Sequence, residues 1–223
     1  MVSEPQDDDY SFKAGMGTYR EDHTNLVAKV TDAWRDMPAS TRRLINEHPS
    51  EARLLFFVLM SDLIFFLSWS VKTVVSPTSI AESVLPTDVA VLLVGALLVR
   101  TSSIYIFSFI VGFVLRLFGG KGSSKETRAG MFWGSFVAAP FGILAALLTV
   151  AMASLEDVMP FLGGETISLA PLWLGMLPFV WFVSAGATEA HQFKRIFPLF
   201  AALSLLCVVG MFWALYLRAN GVI

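Results

Sequence analysis

Five long apolar stretches, joined by short loops whose Lys/Arg content alternates between none and several, restrict this chain more than any other feature. A bilayer core of roughly 30 Å is crossed by about 20 helical residues. Inside lipid every backbone N–H and C=O must find a partner within the protein, which a helix provides along its own length. Leu54–Val75, Val89–Phe118, Gly130–Ala153, Leu169–Thr188 and Ile196–Leu217 each meet that length. The expected fold class is all-α: a polytopic integral membrane protein built as a five-helix transmembrane bundle. The second stretch exceeds the minimum, so it tilts or projects beyond the hydrocarbon.

Loop charge predicts the orientation. Lys13, Arg20, Lys29, Arg35, Arg42, Arg43 and Arg53 precede the first stretch, and Arg116, Lys121, Lys125 and Arg128 flank the second loop. Lys194 and Arg195 stand in the fourth loop, while residues 76–88 and 154–168 have no Lys or Arg. Basic loops stay in the cytoplasm. Five crossings from a cytoplasmic N-terminus to a C-terminus on the far side account for the whole alternation, and four or six crossings break it.

Composition agrees. Apolar residues make up 55% of the 223 and charged ones 15%, against about a quarter charged in soluble domains. Residues 1–53 carry seven of the 16 Lys/Arg and ten of the 18 Asp/Glu. A net charge of −2 gives no footprint for nucleic acid. The single cysteine, Cys207, excludes an internal disulfide and cysteine-based metal frameworks. No apolar core lies near the start, so no cleavable signal peptide is expected and the first span itself directs insertion.

Residues 1–23 read as a disordered polar tail and 24–53 as a cytoplasmic amphipathic helical segment. Leu26, Val27, Val30, Ala33, Trp34 and Met37 recur at helical spacing from Thr24, and Pro38 is expected to end that helix. A second short helix is expected over Ala39–Glu47, with Pro49 ahead of the first span. Two readings are open for the first helix: one on the cytoplasmic leaflet anchored by Trp34, or one packed on the ends of the spans or on a partner. The transmembrane domain is placed at 54–217, leaving 218–223 as a short non-cytoplasmic tail.

Three charges fall inside spans: Asp62, Lys72 and Arg100. Such charges are costly in lipid and need a partner. Asp62 lies roughly 12 Å and Arg100 roughly 14 Å from the cytoplasmic side at helical rise, which predicts an Asp62–Arg100 ion pair. Fixing two helices together is one reading of it, and a gate or proton-linked site the other. Lys72 is expected to snorkel outward, with Glu82 or Asp88 facing it. Gly130, Gly134, Ala138, Gly142 and Ala146 form a small-residue seam on the third span, interrupted by Pro140. It serves packing within one protomer or pairing of two. Pro178 and Ala185-Gly186-Ala187 mark the fourth span.

No constellation for chemistry emerges. The turn Gly119-Gly120-Lys121-Gly122-Ser123-Ser124-Lys125-Glu126-Thr127 has phosphate-cradle residue types. It lacks the four-residue spacing and Gly-Lys-Ser order of a P-loop, as well as the preceding strand. A basic turn meeting anionic lipid headgroups fits instead. His23, His48 and His191 form no metal-binding pair. Ser68 and Ser70 near Lys72 suggest a Ser/Lys dyad, which an interfacial lysine would not activate. No catalytic residue, metal or cofactor is expected.

Taken together, these residues resemble the Yip domain family, bacterial relatives of Rab/Ypt-interacting membrane proteins. The turn Gly119–Thr127 is similar to the family's Gly-Gly-x-Gly-Ser-x-x-Glu-Thr-like turn, and the small-residue third span with Pro140 resembles its Tyr/Phe-Ala-x-x-Pro region. The five closely spaced spans and near-absent C-terminal tail complete the likeness, over about Leu54 to Leu217. The eukaryotic Asp-Leu-Tyr-Gly-Pro motif is absent, Ser61-Asp62-Leu63-Ile64-Phe65 sharing only two residues with it, so a Rab-like GTPase partner is not implied. What the resemblance implies is a non-catalytic membrane scaffold of the bacterial inner (cytoplasmic) membrane with a periplasmic C-terminus. Its expected partners are lipid, other membrane proteins and further copies of itself. A small transporter or channel component using Asp62 and Arg100 is the second hypothesis, and an intramembrane enzyme the third.

Overall fold

The computed structural model describes residues 25–75, 86–163, 167 and 170–220. The acidic tail, Glu82 and the side chains of Lys72 and Asp88 lie outside the described residues. Seven α-helices follow in order among the described residues: α1 Leu26–Arg35, α2 Met37–Asn46, α3 Glu51–Val75, α4 Pro86–Leu117, α5 Ser124–Leu155, α6 Ala170–Ala190 and α7 Phe197–Ala219. A 3₁₀ turn at Pro160–Gly163 lies between α5 and α6, and there is no strand among the described residues.

Capping explains the N-terminal boundaries. Asn25 accepts from Val27 N–H to start α1, and Asp36 accepts from Ala39 N–H to start α2. Pro38 is therefore not the end of the first helix, as its position suggested. It occupies the first turn of α2, where its missing N–H would have had no helical acceptor anyway. The last turn of α1 is closed by Asp36 N–H on the Asp32 carbonyl.

α5 is the centre of the bundle. From Ala129 to Ala139 its residues are buried on every face. α6 runs antiparallel along it, Gly130 meeting Gly186 and Gly134 meeting Phe182. α3 runs parallel to α5, Phe57 against Trp133 and Phe136, and Ser61 Oγ 2.8 Å from Ser135 Oγ. α4 flanks α3 and α5, and α7 rests against α6, where Trp181 meets Phe200 edge-on.

α1 and α2 form a hairpin laid over α5 and α6. Trp133 Nε1 donates to Ser40 Oγ at 3.0 Å, and Trp34 Nε1 donates to the Val137 carbonyl at 2.9 Å. The second bond lies one turn before Pro140. Proline has no N–H to give the carbonyl four residues back, that of Phe136, and the Val137 carbonyl beside it accepts an indole N–H from outside the helix. Lys29 and Arg53 both bind Glu47, and Arg42 binds Glu189 on α6. Burial lifts the Glu47 carboxyl's pKa, and the Arg53 and Lys29 hydrogen bonds outweigh that, leaving it below the usual value. Of the two readings for the first helix, this is the one packed on the bundle.

Two of these helices, over Leu93–Leu117 and Ser124–Leu155, are long and apolar enough among the described residues to cross a membrane, and Phe197–Trp213 is a shorter apolar helix. α3 opens with Glu51 and Arg53 and holds Asp62 at mid-length. Leu98, Ile106, Phe109 and Phe113 on α4, and Leu206, Val209 and Phe212 on α7, stay more than half exposed. Apolar surface of that extent needs a partner other than water.

Candidate functional site

The Gly-rich turn links the end of α4 to the start of α5. α4 closes with Gly120 N–H on the Leu115 carbonyl, and Gly119 takes a φ of 89°, the left-handed region where a Cβ is strained. Ser123 then starts α5 with a capping box. Its hydroxyl accepts from Glu126 N–H at 3.2 Å, and the Glu126 carboxylate accepts from Ser123 N–H at 2.6 Å. Lys121 and Lys125 project outward, while Gly122 and Thr127 are buried.

Beneath this turn lies His191, only 1% exposed at the end of α6. Its Nε2 is 2.8 Å from Thr127 Oγ1, and the Thr127 hydroxyl donates to the Ser123 carbonyl at 2.9 Å. The Thr127 hydroxyl thus links the imidazole to the Ser123 carbonyl at the start of α5. Nδ1 is buried without a hydrogen-bond partner among the described residues. A Cβ on Gly120 would stand 2.5 Å from Nδ1, and one on Gly122 would stand 2.5 Å from the Ala190 carbonyl. Lys121 N–H closes the packing by donating to the His191 carbonyl at 3.3 Å. Two glycines of the turn are thus required by the approach of α6, and a third by its own backbone angle. Burial, and then the Arg116 cation, hold the His191 pKa below the ordinary 6.5, against an opposing pull from Glu126.

The seam residues divide. Gly130 and Gly134 face backbone of α6, and a Cβ on either would enter the Gly186 or Phe182 carbonyl. Ala138 is fully buried and Ala146 nearly so, whereas Gly142 faces α3, where a Cβ would stand only 3.0 Å from the Phe65 ring. The stripe therefore serves two neighbours, and its first half is covered by α6 of the same chain.

Arg100 Nε donates to Asp62 Oδ1 between α4 and α3, and Thr101 Oγ1 donates to Asp62 Oδ2 at 2.7 Å. The Asp62 side chain is wholly buried and that of Arg100 37% exposed. The guanidinium lies 4.0 Å above the Phe65 ring, a cation–π contact. A cavity of about 480 Å³ adjoins the pair, lined by Phe65, Phe66, Leu97 and Val99 among others. Asp62 thus has both carboxylate oxygens engaged by donors from α4.

Two partners escaped sequence reasoning. His191 was separated from Thr127 by 64 positions, with no pattern linking them. Thr101 follows Arg100 directly but carried no signal of its own. The capping box escaped it too, although Ser-x-x-Glu at 123–126 carries its signal.

Searches of the curated proteins and of the solved structures each return no match. The family model of the Yip1 domain matches residues 36–223, which take in α2, the Gly-rich turn and every helix of the bundle, so the chain belongs to the Yip1 domain family.

Proposed function

We propose that this is a non-catalytic scaffold of the Yip type, crossing the membrane five times through α3 to α7 and working through partner proteins and lipid. The observation that carries the reading is the coincidence of three features. Five helices fall on the five apolar stretches. The turn that resembles the family's motif is packed onto the end of α6. The outer faces of α4 and α7 are apolar and unpaired in the single chain. A cytoplasmic N-terminus and a C-terminus on the far side are argued from the alternation of loop charge, and the bacterial inner membrane from the family resemblance alone.

Polar groups with the residue types of a reacting centre have structural occupations. Ser68 Oγ donates to the Ile64 carbonyl of its own helix, Glu189 is held by Arg42, and His191 by Thr127. Such engagement favours a scaffold over a reacting centre.

Crosslinking in native membranes with mass spectrometry tests this. A reproducible protein partner, a second copy included, supports the scaffold, and crosslinks to no protein at all sink it. Tags on the two termini found accessible from one compartment would overturn the five crossings. The cavity beside Asp62 and Arg100 favours a second reading, a small transport component. Solute flux in liposomes that disappears in Arg100→Ala would replace the scaffold by that reading.

A further inference from the structure

We propose that the crevice between α4 and α5 at the Gly-rich turn binds one anionic glycerophospholipid. It is a cavity of about 340 Å³ lined by Tyr105, Ile106, Ser108, Phe109, Ser124 and Arg128. The inference rests on the membrane reading above, but not on which face is cytoplasmic.

The crevice is polar at one end and apolar at the other. At the polar end Arg128 donates from one terminal nitrogen to Glu51 at 2.6 Å. Among the described residues its other terminal nitrogen makes no hydrogen bond, and its Nε is buried without a partner. Arg116 reaches the same end, donating to Ser124 Oγ at 3.2 Å. Lys125 lies one residue beyond Ser124 and is exposed. Two carboxylates face these cations. Glu126 is folded back onto Ser123 N–H, and Glu51 is 54% exposed. Positive charge is therefore in surplus at this end.

Away from the turn, the lining becomes Tyr105, Ile106 and Phe109. Ile106 and Phe109 remain exposed, and Leu98 and Val99 continue the apolar surface along α4. A free phosphate would use only the first end, and a neutral acyl chain only the second. A phosphodiester joined to acyl chains matches both, with its headgroup at the end of the bundle where the loop cations stand. Guanidinium nitrogens suit phosphate oxygens because several donors lie in one plane.

The test is native mass spectrometry of the purified full chain in detergent, offered phosphatidylglycerol and phosphatidylcholine with the same acyl chains in equal amounts. The wild type is expected to retain phosphatidylglycerol in preference by at least roughly fivefold, the factor one basic residue supplies against an anionic headgroup. Arg128→Gln is expected to bring the two lipids near parity. Glu51→Gln is expected to raise the preference, because it frees a guanidinium nitrogen. The opposed signs matter: if the Arg128–Glu51 pair only held the helices together, both variants would lose lipid alike, and that result overturns the proposal. Should Arg128→Gln fail to fold, Glu51→Gln alone decides. Arg35→Gln, exposed at the end of α1 and outside the crevice, is expected to change nothing, and an equal loss there would mean diffuse attraction and refute a defined crevice. Equal retention of both lipids by the wild type refutes it as well. Full displacement of phosphatidylglycerol by water-soluble glycerol phosphate would assign the polar end to a free anion and overturn the lipid. Failure of the chain to sediment with membranes would instead sink the reading on which this one rests.

Discussion

Replacing Gly134 by alanine puts the packing argument at its sharpest. A Cβ there would stand 2.6 Å from the Phe182 carbonyl oxygen, 2.8 Å from its carbon and 2.9 Å from Val183 Cα. All three are backbone atoms of a helix and cannot rotate aside. Ordinary contact needs about 3.4 Å, so α5 and α6 must separate by about 0.8 Å over this turn, and a gap of that size forfeits a quarter to a half of each dispersion well of about 0.1–0.2 kcal/mol. With roughly 40 atom pairs across the seam, the loss is about 2 kcal/mol. That lies within the about 1–3 kcal/mol typical of overpacking. Gly210→Ala on α7 is the control, since nothing lies within 4 Å of a Cβ there. It is expected to be neutral or slightly stabilising. Unfolding by SDS in mixed micelles, followed by tryptophan fluorescence, reads both. A wild-type midpoint for Gly134→Ala, or an equal loss for Gly210→Ala, refutes the close-approach account. Gly130→Ala combined with Gly186→Ala should cost less than the sum of the two, because either methyl already parts the same backbones.

Asp62→Leu is expected to destabilise by about 3–5 kcal/mol by leaving Arg100 unpaired, whereas the double variant Asp62→Leu/Arg100→Leu should recover most of that loss in the same assay. His191 gives a pH dependence with a fixed sign. The unfolded chain takes up its proton near 6.5 and the folded chain only at lower pH, so stability should fall as pH drops below about 6.5, and the fall should flatten in His191→Gln. Trp34→Phe keeps the ring against Phe141 but loses the bond to the Val137 carbonyl. It should cost about 1 kcal/mol and raise hydrogen exchange in α1 more than in α6.

The positions of the long helices were legible because apolar runs of span length stand out against charged loops. Their ends were less so. α3 starts at Glu51 rather than Leu54, and α5 at Ser124 rather than Gly130. Hydropathy marks where lipid would begin, whereas a helix begins where its first N–H groups are capped, as Ser123 and Glu126 do for α5. Pro38 misled for the same reason: proline interrupts a helix from within but is accommodated in a first turn. The Asp62–Arg100 contact could be reasoned from depth on adjacent helices. The Trp34–Val137 and His191–Thr127 contacts join residues far apart in sequence through tertiary packing alone. No local pattern encodes such a meeting. The glycines of the turn were conspicuous, but the imidazole and carbonyl that exclude a side chain there belong to another helix.

The mutual occupation of Gly130 and Gly186 has a mechanical consequence. Each backbone fills the place where the other's side chain would be, so sliding either helix by one residue would drive a methyl or larger group into a carbonyl. The α5–α6 pair therefore behaves as a keyed shaft with a single register. Whatever rearrangement accompanies binding must be carried by α4, α7 and the α1–α2 hairpin moving against that shaft, with the shaft itself as their fixed reference.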